Sequence, residues 1–305
     1  MAKIGLIDVD SHHFPNLALM KISAWHKSKG DTVEWCFPLD HYDIVYQSKV
    51  FDDTYSPDIE WIPNADKIIK GGTGYGLDNR LPDEIEHIYP DYSIYPDLTK
   101  DTAYGFLTRG CPRHCAFCIV GDKEGLKSIK VADLSEFWRG QKKIVLLDPN
   151  ILACKDRMNL LDQLIESRAV VDFSQGLDIR LTNEAVADKL NRIRVKRLHF
   201  AWDNPEQDLT PYFKRFTEAY NRKNSAGKVV YVLVNFNSTM EQNLYRIYTL
   251  RDLGYDPYVM VYDKPHASRE IKDLQRWVNN RFIFRKVKKF EDYKKDDMAN
   301  YSIFD

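Results

Sequence analysis

Thr108-Arg109-Gly110-Cys111-Pro112-Arg113-His114-Cys115-Ala116-Phe117-Cys118 follows the apolar run Tyr104 to Leu107 and holds three of the chain's five cysteines. Cys36 and Cys154 stand alone. An odd count with three crowded together makes a poor disulfide framework. Three thiolates this close repel one another unless a cation holds them. Soft thiolates at such spacing select an iron–sulfur cluster or zinc. A structural zinc wants four protein ligands, so His114 or a distant residue would have to complete it; a cubane cluster on three thiolates leaves one iron open.

Outward from this loop the chain repeats a strand–helix pattern. Apolar strands are expected at Tyr104–Leu107, Ile144–Leu147, Val170–Phe173, Arg197–Trp202, Val229–Val234 and Tyr258–Val261. Amphipathic stretches lie between them at Val131–Trp138, Met158–Ser167, Asn183–Asn191, Leu209–Asn221 and Thr239–Leu253. Six successive βα units imply a parallel barrel or part of one. Its strands run into polar ends: Arg109-Gly110-Cys111, Asp148-Pro149-Asn150, Ser174-Gln175-Gly176, Asp203-Asn204, Asn235-Phe236-Asn237 and Tyr262-Asp263. Single ends of this kind are often plain helix caps, but six on one rim fit a site at the C-terminal ends of the strands.

Upstream, Lys3–Val9, Thr32–Phe37, Tyr42–Tyr46 and Lys67–Lys70 read as strands, with a helix over Pro15–Lys29. The expected fold class is therefore α/β: a six-stranded partial (β/α) parallel barrel preceded by a small doubly wound α/β unit. The expected organisation is a Rossmann-like unit over residues 1–75, a connecting segment over 76–103, the barrel over 104–280 and a basic C-terminal tail over 281–305. The tail carries Arg281, Arg285, Lys286, Lys288, Lys289, Lys294 and Lys295, a run that usually marks a solvated face.

Composition narrows the class. The 305 residues hold 44 Lys+Arg against 45 Asp+Glu, so whole-chain charge gives no reason to expect nucleic acid or an acidic membrane as partner. No apolar run approaches the ~20 residues that cross a bilayer. Asp8 and Asp10 interrupt the N-terminus before a signal-peptide core could form, and a cytoplasmic location is expected.

The C-x3-C-x2-C spacing, with Phe117 just before the last cysteine, resembles the signature of the radical S-adenosylmethionine (SAM) superfamily. That resemblance implies a [4Fe–4S] cluster on Cys111, Cys115 and Cys118, with the open iron chelated by SAM. It implies reductive cleavage of SAM to a 5′-deoxyadenosyl radical that abstracts hydrogen from the substrate, with a one-electron donor such as flavodoxin or ferredoxin as partner. By the same resemblance, Phe117, Asp148, Asn150, Gln175, Arg180, Asp203 and Asn235 are candidate cofactor-binding residues. Asp148-Pro149-Asn150 stands where relatives carry a Gly-Gly-Glu-like segment for the SAM amino group. Arg180 could hold the SAM carboxylate or pair with Asp178, and Asp203 could hold the ribose hydroxyls or cap a helix. No catalytic residue is singled out, and no substrate is named.

The N-terminal unit, followed by Gly71-Gly72, looks like a shortened cobalamin-binding domain of B12-type radical SAM proteins. The loop Asp10-Ser11-His12-His13-Phe14-Pro15 reproduces the Asp and His of D-x-H-x-x-G but puts Pro15 in place of Gly, so cobalamin is not expected. Two other readings stand beside the first. One is a cobalamin-dependent radical SAM methyltransferase; the other is a zinc-stabilised nucleic-acid-binding protein, supported only by the basic tail.

Overall fold

The computed structural model describes residues 1–221 and 227–293. It divides into two compact units, one ending at Ser174 and one beginning at Gln175. Both are mixed α/β with parallel strand pairing.

In the first unit, β1 (Lys3–Asp8), β2 (Thr32–Trp35), β3 (Tyr42–Ser48) and β4 (Ala65–Gly71) pair in parallel in the order β2-β1-β3-β4. Chain order reverses between β1 and β3, as in a doubly wound sheet. The helix Leu17–Ser28 starts where the Asn16 side chain accepts the Leu19 N–H, and its last turn carries Lys27, a cation suited to a helix C-terminus. Its Leu19 and Ile22 pack with Ile4 and Leu6 of β1 and with Ile85, while Ile7, Tyr42 and Val45 form a second cluster. Alternate β1 side chains thus feed two cores, each fully buried group contributing about 1.5–3 kcal/mol.

The strands β5 (Thr102–Gly105), β8 (Lys143–Leu146) and β9 (Val170–Phe173) of the same unit are also parallel, in the order β5-β8-β9. Between β5 and β8 lies a short antiparallel pair, β6 (Thr108–Arg109) and β7 (Ile129–Lys130), which joins the two ends of the cysteine loop. The stretch Val131–Trp138 differs from expectation. Only a 3-10 turn forms, over Leu134–Glu136, opened by a capping box between Asp133 and Glu136, and Leu134 and Phe137 are buried. The segment 76–103 carries short helical turns at Asp83–Glu86, Tyr92–Ile94 and Pro96–Thr99.

The second unit holds β10 (Arg194–Ala201), β11 (Lys228–Val234) and β12 (Asp256–Val261), again parallel and in that order. Helices Glu184–Arg192, Thr210–Ala219, Met240–Asp252 and Arg269–Asn279 separate and follow them. Three of these start on side-chain caps, at Asn183, Thr239 and Ser268. Phe200 of β10 packs edge-on against Phe213 and Phe216, with ring centroids 6.1 and 5.2 Å away.

The expected basic tail is partly core. Helix Arg281–Lys286 buries Ile283 and Phe284, and Phe284 packs on Trp277 at 4.8 Å, while Arg285, Lys286, Lys288 and Lys289 remain exposed. An amphipathic helix thus explains the charge run: its cations face water and its apolar side is buried. Lys294, Lys295 and the rest of the tail lie outside the described residues. Among the described residues no helix is long and apolar enough to cross a membrane.

Candidate metal centre

The cysteine loop is anchored before its first thiol. Gly110 sits at φ +86°, and a Cβ there would stand 2.1 Å from the Lys127 carbonyl oxygen, so no other residue fits without moving the backbone. Cys111 then donates its N–H to the Gly125 carbonyl at 3.0 Å. Arg109, just upstream, donates from Nη1 to both Glu124 carboxylate oxygens at 3.0 and 3.1 Å and from Nη2 to Glu86 at 3.0 Å. Glu86 also receives Lys21 at 2.9 Å, and the two cations hold its carboxyl below the usual range against the opposing effect of burial. Four charged groups therefore tie the loop to the helix that covers β1.

The segment Asp148-Pro149-Asn150, after β8, holds the other side. Asp148 is 4% exposed, and its carboxylate accepts from Leu107 N at 3.2 Å, Thr108 N at 2.5 Å and Thr108 Oγ1 at 2.7 Å. Burial outweighs these bonds and pushes its carboxyl up to about 6. Asn150, also 4% exposed, donates from Nδ2 to Cys111 Sγ at 3.5 Å, and its carbonyl accepts from Ser128 Oγ at 2.8 Å. Its Oδ1 is buried with no hydrogen-bond partner among the described residues.

Cys111 is half-buried, whereas Cys115 and Cys118 are exposed on the turn beyond it, where Cys118 N donates to Cys115 O at 2.9 Å. His114 lies on the same turn in the left-handed region at φ +47°. Phe117 is half-buried. The three sulfurs are not gathered: among the described residues no group of three His, Cys, Asp or Glu side chains stands ready to hold a metal ion. The donor chemistry nevertheless fits an iron–sulfur cluster, since three thiols share one loop, an amide already donates to one of them, and the other two are exposed on the turn that would close over it. Cys36 and Cys154 differ in kind. Burial pushes the Cys36 thiol up, and Cys154 is buried.

In the second unit, Arg180 donates to Asp178 at 2.7 Å and to Gln207 at 2.8 Å, so of its two expected partners the ion pair is formed. Gln175 is exposed. Asn235, at φ +65°, donates its amide to the Tyr262 carbonyl at 2.8 Å and so links the ends of β11 and β12. Asp203 accepts from Leu233 N at 3.2 Å; burial pushes its carboxyl up to about 6, while the charges of Arg246 and Arg180 pull the other way.

Arg246 has no counterpart in the sequence reading. At 1% exposure it donates to the Trp202 carbonyl at 2.7 Å, Asp203 O at 3.1 Å, Leu233 O at 3.0 Å, Asn243 Oδ1 at 2.7 Å and Gln242 O at 3.3 Å. Its guanidinium fork thus satisfies carbonyls at the ends of β10 and β11. Burial lowers it to about 10. The available signal was its place on the stripe Asn243, Ile247 and Leu250, all buried on one helix face.

In the N-terminal sheet, Asp10 is buried and accepts from Val50 N at 2.7 Å and Phe51 N at 2.8 Å, which ties the loop after β1 to the loop after β3. His12 and His13 are exposed, with His12 in the left-handed region at φ +40°.

No family model matches the chain, and no curated protein matches it. Among solved structures, it is similar to the crystal structure of Streptococcus suis SuiB bound to precursor peptide SuiA, at 11% identity and a TM-score of 0.38, over 65% of this chain and 46% of that one. It is also similar to the crystal structure of SuiB bound to S-adenosylmethionine, at 13% identity and a TM-score of 0.39, over 70% of this chain and 53% of that one. The chain spans about half the length of these structures. A likeness at this level carries no argument about chemistry, substrate or partner.

Proposed function

We propose that this chain is a radical SAM enzyme, with Cys111, Cys115 and Cys118 as the ligands of a [4Fe–4S] cluster. The observation that carries the reading is the loop itself: three thiols on one loop closed at its base by β6 and β7, with an amide donor on the Cys111 sulfur. Downstream of residue 101, the parallel strands among the described residues are β5 and β8 to β12, the six that the superfamily's partial barrel would have. Once bound and reduced, such a cluster supplies the electron that cleaves the sulfonium bond of SAM.

The chain's own groups divide into two kinds in this reading. Asp148 and Arg109 fix the backbone on which the thiols stand. Asp203 and Gln175 are polar strand ends available to SAM, with Asp203 directed at its ribose hydroxyls. Phe117 helps exclude water from the turn; Arg180 and Asn235 fix loops of the second unit through Asp178 and the Tyr262 carbonyl.

The test is anaerobic reconstitution with iron and sulfide, then dithionite and SAM. Iron bound in cluster stoichiometry and 5′-deoxyadenosine on chromatography are the expected results. Alanine at Cys111, Cys115 or Cys118 should abolish both, and alanine at Cys36 or Cys154 should abolish neither. A colourless protein that takes up zinc in place of iron would refute the reading.

A further inference from the structure

We infer that Asn150 is a positioning residue for the metal centre, holding the Cys111 sulfur through an N–H···S bond and raising the reduction potential of the cluster it ligates; this rests on the proposed reading of Cys111 as a ligand. The contact has two rigid ends. Cys111 is held by its N–H on Gly125 O at 3.0 Å, next to a glycine that tolerates no side chain. Asn150 is held by Ser128 Oγ on its carbonyl at 2.8 Å and by Pro149 before it, and Asp148 fixes the strand end two residues upstream. The distance of 3.5 Å from Nδ2 to Sγ is a normal one for a sulfur acceptor, whose radius exceeds that of oxygen.

With Nδ2 toward Cys111, the amide spends a donor on the sulfur while Oδ1 is buried and unpartnered among the described residues. A sulfur bound to iron carries negative charge, and an N–H donated to it is charge-assisted and stronger than one donated to a neutral acceptor.

A donor on a ligating sulfur withdraws electron density and stabilises the more negative, reduced cluster. A sequence reading places Asn150 among SAM contacts. The geometry assigns its amide nitrogen to the sulfur, and leaves Oδ1 as its one unpartnered acceptor.

The test is the midpoint potential of the reconstituted full chain, followed by electron paramagnetic resonance, for parent, Asn150→Asp and Asn150→Ala, with iron measured on each. Asn150→Asp keeps the shape and replaces the donor with an acceptor. The reduction equilibrium should shift toward the oxidised cluster by about tenfold, 59 mV for one electron, with iron unchanged. Asn150→Ala serves if the Asp variant does not fold and should shift the same way by less. Full iron with a potential equal to the parent's overturns the inference. Loss of iron from folded variants also overturns it, since Asn150 would then be required for cluster binding and not for the potential of a cluster already bound. A parent that binds no iron instead refutes the proposed function, and that outcome is read before any variant is made.

Discussion

Replacing Asp148 with Asn should change how the stability of the metal-free chain depends on pH. The buried carboxyl titrates at about 6 in the fold against an ordinary 3.8. Between those values the folded chain keeps a proton that the unfolded chain has released. Stability therefore falls as pH rises from about 4 to about 6, and this contribution is flat above that window. At 1.36 kcal/mol per tenfold, the full fall is about 3 kcal/mol. The amide introduced by Asp148→Asn does not titrate, so the difference between parent and variant should narrow by about that amount across the window. At the acid end the substitution should destabilise, because the new amide can set an N–H against Leu107 N, which Oδ2 of the carboxyl accepts at 3.2 Å; one lost acceptor for a buried donor costs about 1–3 kcal/mol. At neutral pH the relief of charge burial should offset that cost, leaving the variant equal to or more stable than the parent. Urea unfolding followed by circular dichroism at several pH values measures both curves. A parent–variant difference that stays constant from about pH 4 to about pH 7 would refute the claim that burial, rather than the three hydrogen bonds, dominates at this carboxylate.

Two further outcomes follow from the second unit. Arg246→Met should destabilise the chain by about 3–5 kcal/mol in urea unfolding, since it strips donors from buried carbonyls at two strand ends and removes the charge that compensates Asp203; a change below about 0.5 kcal/mol would make the guanidinium dispensable. Asp203→Ala should weaken SAM binding about 10–100-fold in equilibrium dialysis, the equivalent of about 1.5–3 kcal/mol for a bond to a charged group. Unchanged affinity would leave Asp203 only as the acceptor for Leu233 N.

Much of this architecture was legible in the sequence, and for identifiable reasons. Val170–Phe173 is a strand with the bounds expected of it, and the helices over 158–167, 183–191 and 239–253 start or end within a residue or two of theirs. Strongly apolar runs and capping residues carry that information locally. The two-residue strands β6 and β7 could not be read, because a pair this short has no periodicity and exists only through its partner. Val131–Trp138 has the apolar spacing of a helix, yet only one 3-10 turn forms there, with Gly140 in the left-handed region soon after it. The cysteine motif was legible because its chemistry lies in local spacing. The partners of Asp148 were not, since 40 and 41 residues separate it from Thr108 and Leu107. Arg246 was missed for the opposite reason: an arginine in a helix is usually solvated, and only burial of its whole face reverses that expectation.

The polar strand ends that drew attention in the sequence have to serve two demands at once. A parallel sheet leaves backbone groups unpaired where its strands stop, and buried ones must find partners. Asp148 meets that demand for Leu107 and Thr108, Asn235 for Tyr262, and Arg246 for Trp202 and Leu233. Polarity at these strand ends is therefore partly a consequence of the fold, and a polar end is evidence of a ligand only where its bonding is incomplete. Asn150 qualifies through its unpartnered Oδ1, and Asp203 through a carboxyl that burial holds near 6 with one backbone donor in contact. A group bringing hydroxyl donors to Asp203 would favour its charged form and lower that value, so binding and ionisation there should be linked. By that criterion Asn150, with an acceptor unmet, and Asp203, with a single backbone donor on a buried carboxyl, are the strand-end residues whose bonding is incomplete, whereas Asp148 with three donors and Asn235 with its carbonyl hold their loops in place.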